Sequence, residues 1–404
     1  MTDGRIADFE FSYAPSRIRY GRGTVDSLAA TLEDVGVSRA LVVAGESTGT
    51  APAVGGRVVS GLEPYHVGTY AGSSPAKRIE TAHQVASRAA ALNADVLVAV
   101  GGGSAVDVAT VGATLAAMEA SSSEARRALR EGELGVPAGV EPLPIVAIPT
   151  TLAGAELSVV AGITDAPKAP GEPVRRGGVS DGRLLPTAVV YDRALYETTP
   201  GDVLRASLMN GFDKGVETLY ARTATPITDA TAMRGLSLLR EGVAGLAEGA
   251  APSEGTLHRC ILGTMLVQYG CSRGQATTLS ILHAFGHGVA RGFAIQQGDA
   301  HAIVAPHALS ALFESVDGRR TLLAEALGVD ETGAVAIAAG VVDAVTQIRD
   351  TLGLATQLRA IEDMQRDDLP TIARLVVVDG FMRNRPRGYD PTAADIQAVL
   401  ERAW

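Results

Sequence analysis

The feature of this sequence that most restricts its fold is an apolar run that ends in three consecutive glycines. Residues 95–100 read DVLVAV, and Gly101, Gly102 and Gly103 follow directly. An apolar run without alternation indicates a strand buried on both faces, as in a parallel sheet. Glycines between such a strand and a helix let the backbone approach a phosphate, and the first helical N–H groups can bind the anion. A tight turn capped by Ser104 is the alternative, but the preceding buried strand favours a dinucleotide site.

Similar apolar runs recur only in the first half of the chain. They cover residues 40–44, 143–148 and 188–191, and amphipathic helical stretches separate them. This order predicts an α/β fold with a doubly wound, Rossmann-like parallel sheet, whose ligand crevice lies at the carboxyl ends of the strands. After about residue 199 the pattern is helical to the end. We therefore predict a dinucleotide-binding α/β domain over 1–199 and an all-helical substrate and catalytic domain over 200–404.

Composition excludes several classes of function. The net charge of −10 disfavours nucleic-acid binding, which needs clustered basic residues. No apolar run approaches the 18 residues of a membrane span, so no membrane association is expected. Two cysteines, Cys260 and Cys271, cannot form a disulfide framework for 404 residues. These observations indicate a cytoplasmic globular protein.

Two further motifs contain groups suited to ligand binding or catalysis. Thr150 and Thr151 follow the strand at 143–148, where hydroxyls suit ribose or phosphate contacts, although a capped helix start would look the same. His283 and His287 are four residues apart and share one face of a predicted helix. Such a pair occurs in metal sites and acid/base sites, but also in protein cores. Lone histidines such as His301 are more often structural.

Taken together, GGGSxxD ending at Asp107, the PTT segment and the His-x3-His helix resemble the iron-containing alcohol dehydrogenases. The resemblance covers nearly the whole chain, and residues 209–222 are most similar to the maleylacetate reductase branch. It implies NAD or NADP as the cofactor, with the choice left open, and we also expect a homodimer. It further implies cofactor contacts at Arg176 and Leu185, in addition to Gly101–Ser104, Asp107, Thr150 and Thr151.

The resemblance also implies where metal ligands would fall. Family members that bind metal use one Asp and three His, and these positions correspond here to Asn210, Lys214, His283 and Gln297. Amides are weak ligands, and a protonated amine cannot coordinate. Asp213 projects roughly 60° away from the line of Asn210 on a helix. We therefore expect a metal-independent enzyme with no bound metal.

Lys214 is the most informative departure from the family pattern. It shares a helical face with Asn210 and Glu217, and its charge could stabilise an oxyanion as hydride moves. Alternatively, it only fills the space of a lost metal. The candidate catalytic residues are Lys214, His283, His287 and Asn210.

The predicted function is hydride transfer between nicotinamide and a secondary alcohol or ketone. The departures from the family favour a divergent tailoring enzyme acting on a small-molecule or peptide substrate. One such reaction is the oxidation of a β-hydroxy acid, for instance a C-terminal threonine, with loss of CO2. The first alternative is a maleylacetate reductase of aromatic catabolism. The second is a non-redox or inactive NAD-binding scaffold, which the intact glycine loop and helix histidines disfavour.

Overall fold

The structure is a computed structural model that describes residues 11, 16–166, 174–273, 276–293 and 295–404. The chain divides into two compact units. One comprises the described residues between 16 and 199 together with Arg273. The other comprises Pro200–Ser272 and Ala276–Trp404, together with Phe11.

The first unit is built on a six-stranded parallel sheet. Its strands lie in the order β1-β8-β5-β4-β2-β3, and every neighbouring pair is parallel. The antiparallel strands β6 and β7 form a separate pair. The strands are β1 (Arg17–Gly21), β2 (Ala40–Gly45), β3 (His66–Ser73), β4 (Val96–Gly101), β5 (Ile145–Pro149), β6 (Val160–Asp165), β7 (Arg175–Ser180) and β8 (Ala188–Asp192).

Helices separate consecutive strands from β1 to β5, and a short helix follows β8. Every residue of β4, β5 and β8 is buried, as uninterrupted apolar runs require. Val42, Val98, Val146 and Val190 belong to one fully buried cluster. The helices are α1 (Leu28–Val35), α2 (Glu46–Thr50), α3 (Arg57–Leu62), α4 (Ile79–Ala91), α5 (Gly103–Ala117), α6 (Ser122–Glu131) and α7 (Arg193–Tyr196).

The described part of the second unit is helical apart from short strand segments at Ser272 and at Ala276–Thr277. Three of its helices, α8, α11 and α12, contact one another and contain the residues considered below. The helices are α8 (Gly201–Tyr220), α9 (Pro226–Val243), α10 (Glu254–Gln268), α11 (Ile281–Ala290), α12 (Gln297–Ser315), α13 (Arg320–Leu327), α14 (Ala334–Thr351), α15 (Leu369–Val377) and α16 (Ala393–Arg402).

The predicted fold class, a doubly wound α/β sheet followed by helices, is confirmed. Sequence analysis missed β1 and β3, because these edge strands are only partly buried and lack a continuous apolar run. It also missed β6 and β7. No helix in the described ranges is long and apolar enough to cross a lipid bilayer.

Candidate active site

The glycine run forms the junction between β4 and α5. Gly101 has a φ of 132°, a conformation that side-chain-bearing residues rarely adopt. Helix α5 begins at Gly103, and Gly102 at its N-cap supplies no side-chain cap. The first N–H groups of a helix have no partner within the helix, so this end suits a phosphate. The alternative, a turn in which Ser104 caps the helix, is not observed, because the N-cap residue is Gly102.

The PTT motif lies directly beside this loop. The Thr150 N–H donates to Gly101 O at 3.0 Å, which holds the end of β5 against the end of β4. A Cβ added to Gly102 would lie 3.0 Å from the Thr151 Cγ2 atom. The structure therefore brings Gly101, Gly102, Thr150 and Thr151 together at the carboxyl ends of two adjacent strands, the position at which α/β sheets bind ligands.

Asp107 lies in the second turn of α5 and forms an ion pair that the sequence did not suggest. Lys77 Nζ is 2.6 Å from Asp107 Oδ2, and the Gly162 N–H donates to the same oxygen at 3.3 Å. The cation beside Asp107 is thus Lys77, from the loop before α4. No motif marked this lysine.

The two cofactor contacts expected from the resemblance alone lie elsewhere in the same unit. Arg176 lies on β7, in register with Thr164 of β6, and is exposed. Leu185 follows a short 3-10 helix at Gly182–Leu184 and is partly buried. Both remain predicted cofactor contacts.

In the helical unit, Glu217 of α8 caps α11 and orients His283. Its carboxylate accepts the N–H groups of Ser280 and His283 at 3.1 and 3.0 Å, and lies 2.5 Å from His283 Nδ1. Burial raises the pKa of Glu217 to about 7, while the backbone donors at the start of α11 oppose that rise. Burial also lowers the pKa of His283 well below its usual value, and the charges of His301 and Lys214 add to this effect. His283 is therefore a neutral imidazole at neutral pH.

A second histidine, His301 of α12, packs against His283. Their ring centroids are 4.6 Å apart in an edge-to-face arrangement, and His301 Nδ1 lies 3.3 Å from Asp213 Oδ2. Burial lowers the pKa of His301 to about 3 and raises the pKa of Asp213 well above its usual value. Sequence analysis left His301 without a role, because spacing along the chain does not show which helices meet.

His287 occupies a different environment from His283, although the two lie one turn apart. Its side chain is 40% exposed, and its Nδ1 lies 3.1 Å from Asp379 Oδ2. Burial acts to raise the pKa of Asp379. That pKa nevertheless lies below its usual value, because the carboxylate is stabilised by its hydrogen bond with His287 and by the charge of that imidazole. The Phe381 N–H and the charge of Arg291 contribute in the same direction. An ionised carboxylate on Nδ1 leaves Nε2 of His287 to exchange protons with a ligand or solvent. The 91 residues between His287 and Asp379 hid this pair from sequence analysis.

Lys214 and Asn210 lie on the buried side of α8. Lys214 is 8% exposed, and its Nζ lies 3.4 Å from Gln268 Oε1. Its charge acts on both His283 and His301, so the ammonium belongs to the same cluster. The Oδ1 atom of Asn210 is buried without a hydrogen-bond partner.

Comparison with known families bears directly on the metal. Residues 15–193 match the family model "Iron-containing alcohol dehydrogenase", and residues 206–404 match "Fe-containing alcohol dehydrogenase family, C-terminal". Both models describe iron-containing proteins, so the expectation of an enzyme without bound metal is wrong. That expectation came from judging three family ligand positions separately, those of Asn210, Lys214 and Gln297. It discounted Asp213 and did not consider His301, which α12 places against His283.

The buried polar atoms of this cluster test whether iron fits. Within the described part of the chain, no three His, Cys, Asp or Glu side chains are arranged as a metal site. However, the Nε2 atoms of His283 and His301 and both carboxylate oxygens of Asp213 are buried without hydrogen bonds. Imidazole and carboxylate are donors that iron accepts, so the residues that would hold it are these three. Bound there, the ion would polarise the reacting oxygen of a substrate.

Individual relatives resemble the chain over its full length. The maleylacetate reductase of Burkholderia cepacia is 27% identical over 400 residues, which is 98% of this chain and 97% of the relative. The NAD-dependent methanol dehydrogenase of Bacillus methanolicus is 25% identical, with 97% and 99% covered. The crystal structure of a putative alcohol dehydrogenase from Ralstonia eutropha JMP134 superposes with a TM-score of 0.77 at 28% identity, covering 98% of each chain. With both halves matched by the family models, the chain belongs to the iron-containing alcohol dehydrogenase family.

Proposed function

We propose that this protein is an NAD(P)-dependent dehydrogenase for a secondary alcohol that carries a carboxylate, acting as a tailoring enzyme on an amino-acid-derived or peptide substrate. The observation that carries the proposal is the buried side chain of Lys214 in one cluster with two imidazoles whose pKa values burial lowers. A lysine that is charged at such a buried position favours a ligand that brings or develops negative charge. The uncapped start of α5 supports dinucleotide binding.

The chemistry assigns separate roles to these groups. The carbinol carbon transfers a hydride to nicotinamide, and the hydroxyl proton passes to Nε2 of His287, whose Nδ1 is held by Asp379. Lys214 binds the substrate carboxylate. Its charge also stabilises the alkoxide that develops, beside the iron that Asp213, His283 and His301 would hold, a contribution of about 3–4 kcal/mol for one well-placed donor. Where the hydroxyl is β to the carboxylate, the product is a β-keto acid. The bond between the α-carbon and the carboxylate carbon of this product then breaks and releases CO2. The electron pair of that bond stays on an enolate, which is protonated to the ketone.

A second candidate, maleylacetate reductase, is favoured by the relatives. Three of the similar proteins are maleylacetate reductases at 25–27% identity over 98% of this chain. Their substrate, like the one proposed here, is acidic. The two candidates therefore differ in the carbon skeleton and in the direction of hydride transfer.

The test compares matched substrates. Purified enzyme is given NAD+ or NADP+ with a peptide ending in threonine, or with the same peptide as its carboxamide, and NAD(P)H absorbance and CO2 release are followed. Maleylacetate with NADH or NADPH is assayed in parallel. We expect oxidation of the free acid with release of CO2, and much slower oxidation of the carboxamide.

Variants then test whether Lys214 causes the preference for the free acid over the carboxamide. Lys214→Met should lower kcat/KM for the acid by about two orders of magnitude. It should also reduce the ratio of kcat/KM for the acid to kcat/KM for the carboxamide. Arg234→Met, which removes an exposed cation from the same unit, is the matched control and should change neither. Equal rates for acid and carboxamide, or turnover of maleylacetate alone, would overturn the proposal.

A further inference from the structure

Lysine is rare in this protein, and its positions are therefore informative. Lys and Arg number 35, yet only Lys77, Lys168 and Lys214 are lysines. An ammonium is a compact charge with three freely rotating donors, whereas a guanidinium is planar and bulky. Lys168 lies outside the described residues, and Lys214 is discussed above, which leaves Lys77.

The backbone of Lys77 is held in an unfavourable conformation. Its φ is 45°, in the left-handed region that residues with a side chain seldom adopt. The Thr164 N–H donates to Lys77 O at 2.8 Å, and Thr164 Oγ1 donates to the same oxygen at 3.1 Å. The Lys77 N–H donates to Ser74 O at 3.0 Å. Strand β6 and the loop after β3 thus fix the direction in which this side chain leaves the backbone, and such strain is concentrated at functional positions.

The side chain of Lys77 ends near the start of α5, beside the glycine loop. Its Nζ is 2.6 Å from Asp107 Oδ2, and Asp107 lies four residues after Gly103, the first residue of α5. At about 1.5 Å per residue, that separation is about 6 Å along the helix axis. The Lys77 side chain is 34% exposed. An ammonium with one donor on Asp107 therefore has further donors for an anion or hydroxyl bound at the start of α5.

We infer that Lys77 is a cofactor-binding residue that contacts the ribose–pyrophosphate segment of the dinucleotide, with Asp107 as its positioning partner. The inference rests on the dinucleotide use proposed above. Its structural alternative is that Lys77 only neutralises the Asp107 carboxylate. The two accounts differ in what happens when the carboxylate is removed together with the lysine.

Calorimetric titration with ADP-ribose and with adenosine separates them. We expect Lys77→Met to weaken ADP-ribose binding about tenfold or more, as the loss of a charged hydrogen bond does, and to leave adenosine binding unchanged. The double variant Lys77→Met/Asp107→Asn should remain as weak. Arg127→Met is the matched control, since Arg127 is 68% exposed in the same unit and pairs with Glu131 one turn away. Thermal unfolding checks that each variant is folded.

Three results would overturn the inference. One is ADP-ribose affinity in Lys77→Met equal to that of the wild type. Another is recovery of wild-type affinity in the double variant, which would make Lys77 a neutralising partner only. A third such result is a wild-type protein that binds no ADP-ribose, which would also overturn the proposed cofactor use. Binding of ADP-ribose without turnover of any tested substrate would leave Lys77 supported and count against the proposed substrate alone.

Discussion

Gly286 offers a direct test of how the helices of the catalytic unit meet. It lies on α11 between His283 and His287, and a Cβ added there would lie 2.3 Å from His301 Nε2 and 2.5 Å from its Cδ2. Ordinary contacts between non-bonded heavy atoms are about 3.5–4.0 Å. The substitution Gly286→Ala must therefore move the fully buried His301 ring, or separate α11 from α12, by about 1 Å.

Two opposing effects set the magnitude. Alanine is favoured over glycine within a helix by about 1 kcal/mol, whereas forcing a methyl group into a packed core costs about 1–3 kcal/mol. We expect the free energy of unfolding to fall by about 1–2 kcal/mol, because a ring with no solvent-exposed side has little room to yield. Turnover should fall by about 100-fold, the usual effect of a 1 Å displacement near reacting groups.

Urea unfolding followed by the fluorescence of Trp404 measures this change. Trp404 is the only tryptophan and belongs to the helical unit. Gly292→Ala is the matched control, since a Cβ there would meet nothing within 4 Å, and its stability should change by less than about 0.5 kcal/mol. If Gly286→Ala instead raised the free energy of unfolding by about 1 kcal/mol, helix propensity alone would account for the change. The close packing of α11 on His301 would then be refuted.

Three further predictions follow from single contacts. Asp379→Asn should lower turnover about 10- to 100-fold. Combined with His287→Asn it should add little, because the carboxylate acts through that imidazole; additive losses would contradict this. Gly102→Val should abolish ADP-ribose binding, because the added side chain crowds Thr151 Cγ2, 3.0 Å from the new Cβ, at the end of the strands where the phosphates would bind; thermal unfolding checks that the variant is folded. Gly135→Val, with nothing within 4 Å, is the control, and unchanged binding in Gly102→Val would exclude the loop as the phosphate site. Burial, aided by the charges of Arg349 and Arg402, holds the pKa of His307 below its usual 6.5. Its contribution to stability should therefore be present above about pH 6.5 and lost as the pH falls, and His307→Gln should reduce that loss in urea titrations at pH 5–7. An identical pH dependence in wild type and variant would show that His307 is unperturbed.

The α/β half was predictable because its signals are local. A strand buried on both faces needs an uninterrupted apolar run, and β2, β4, β5 and β8 all have one. The edge strands β1 and β3 carry polar residues along their exposed sides, so they resemble loops in sequence. The glycine run and the PTT motif could be linked to one edge of the sheet because parallel strands all end on the same side.

The metal was misjudged for the opposite reason. Sequence analysis compared single positions along α8 and rejected Asp213 by its angle on one helix. Whether Asp213 reaches a histidine depends on α12, whose His301 comes 88 residues later. No periodicity within either helix contains that information.

The sequence by itself determined the order of elements, the burial of the central strands and the helix face shared by His283 and His287. These depend on residues within a few positions of one another, where backbone geometry fixes direction. Only the tertiary structure decided that Glu217 caps α11, that Asp379 holds His287 and that Lys77 pairs with Asp107. Each of these joins residues at least 30 positions apart. Such contacts are set by how whole helices and strands pack against one another, which local sequence patterns do not encode.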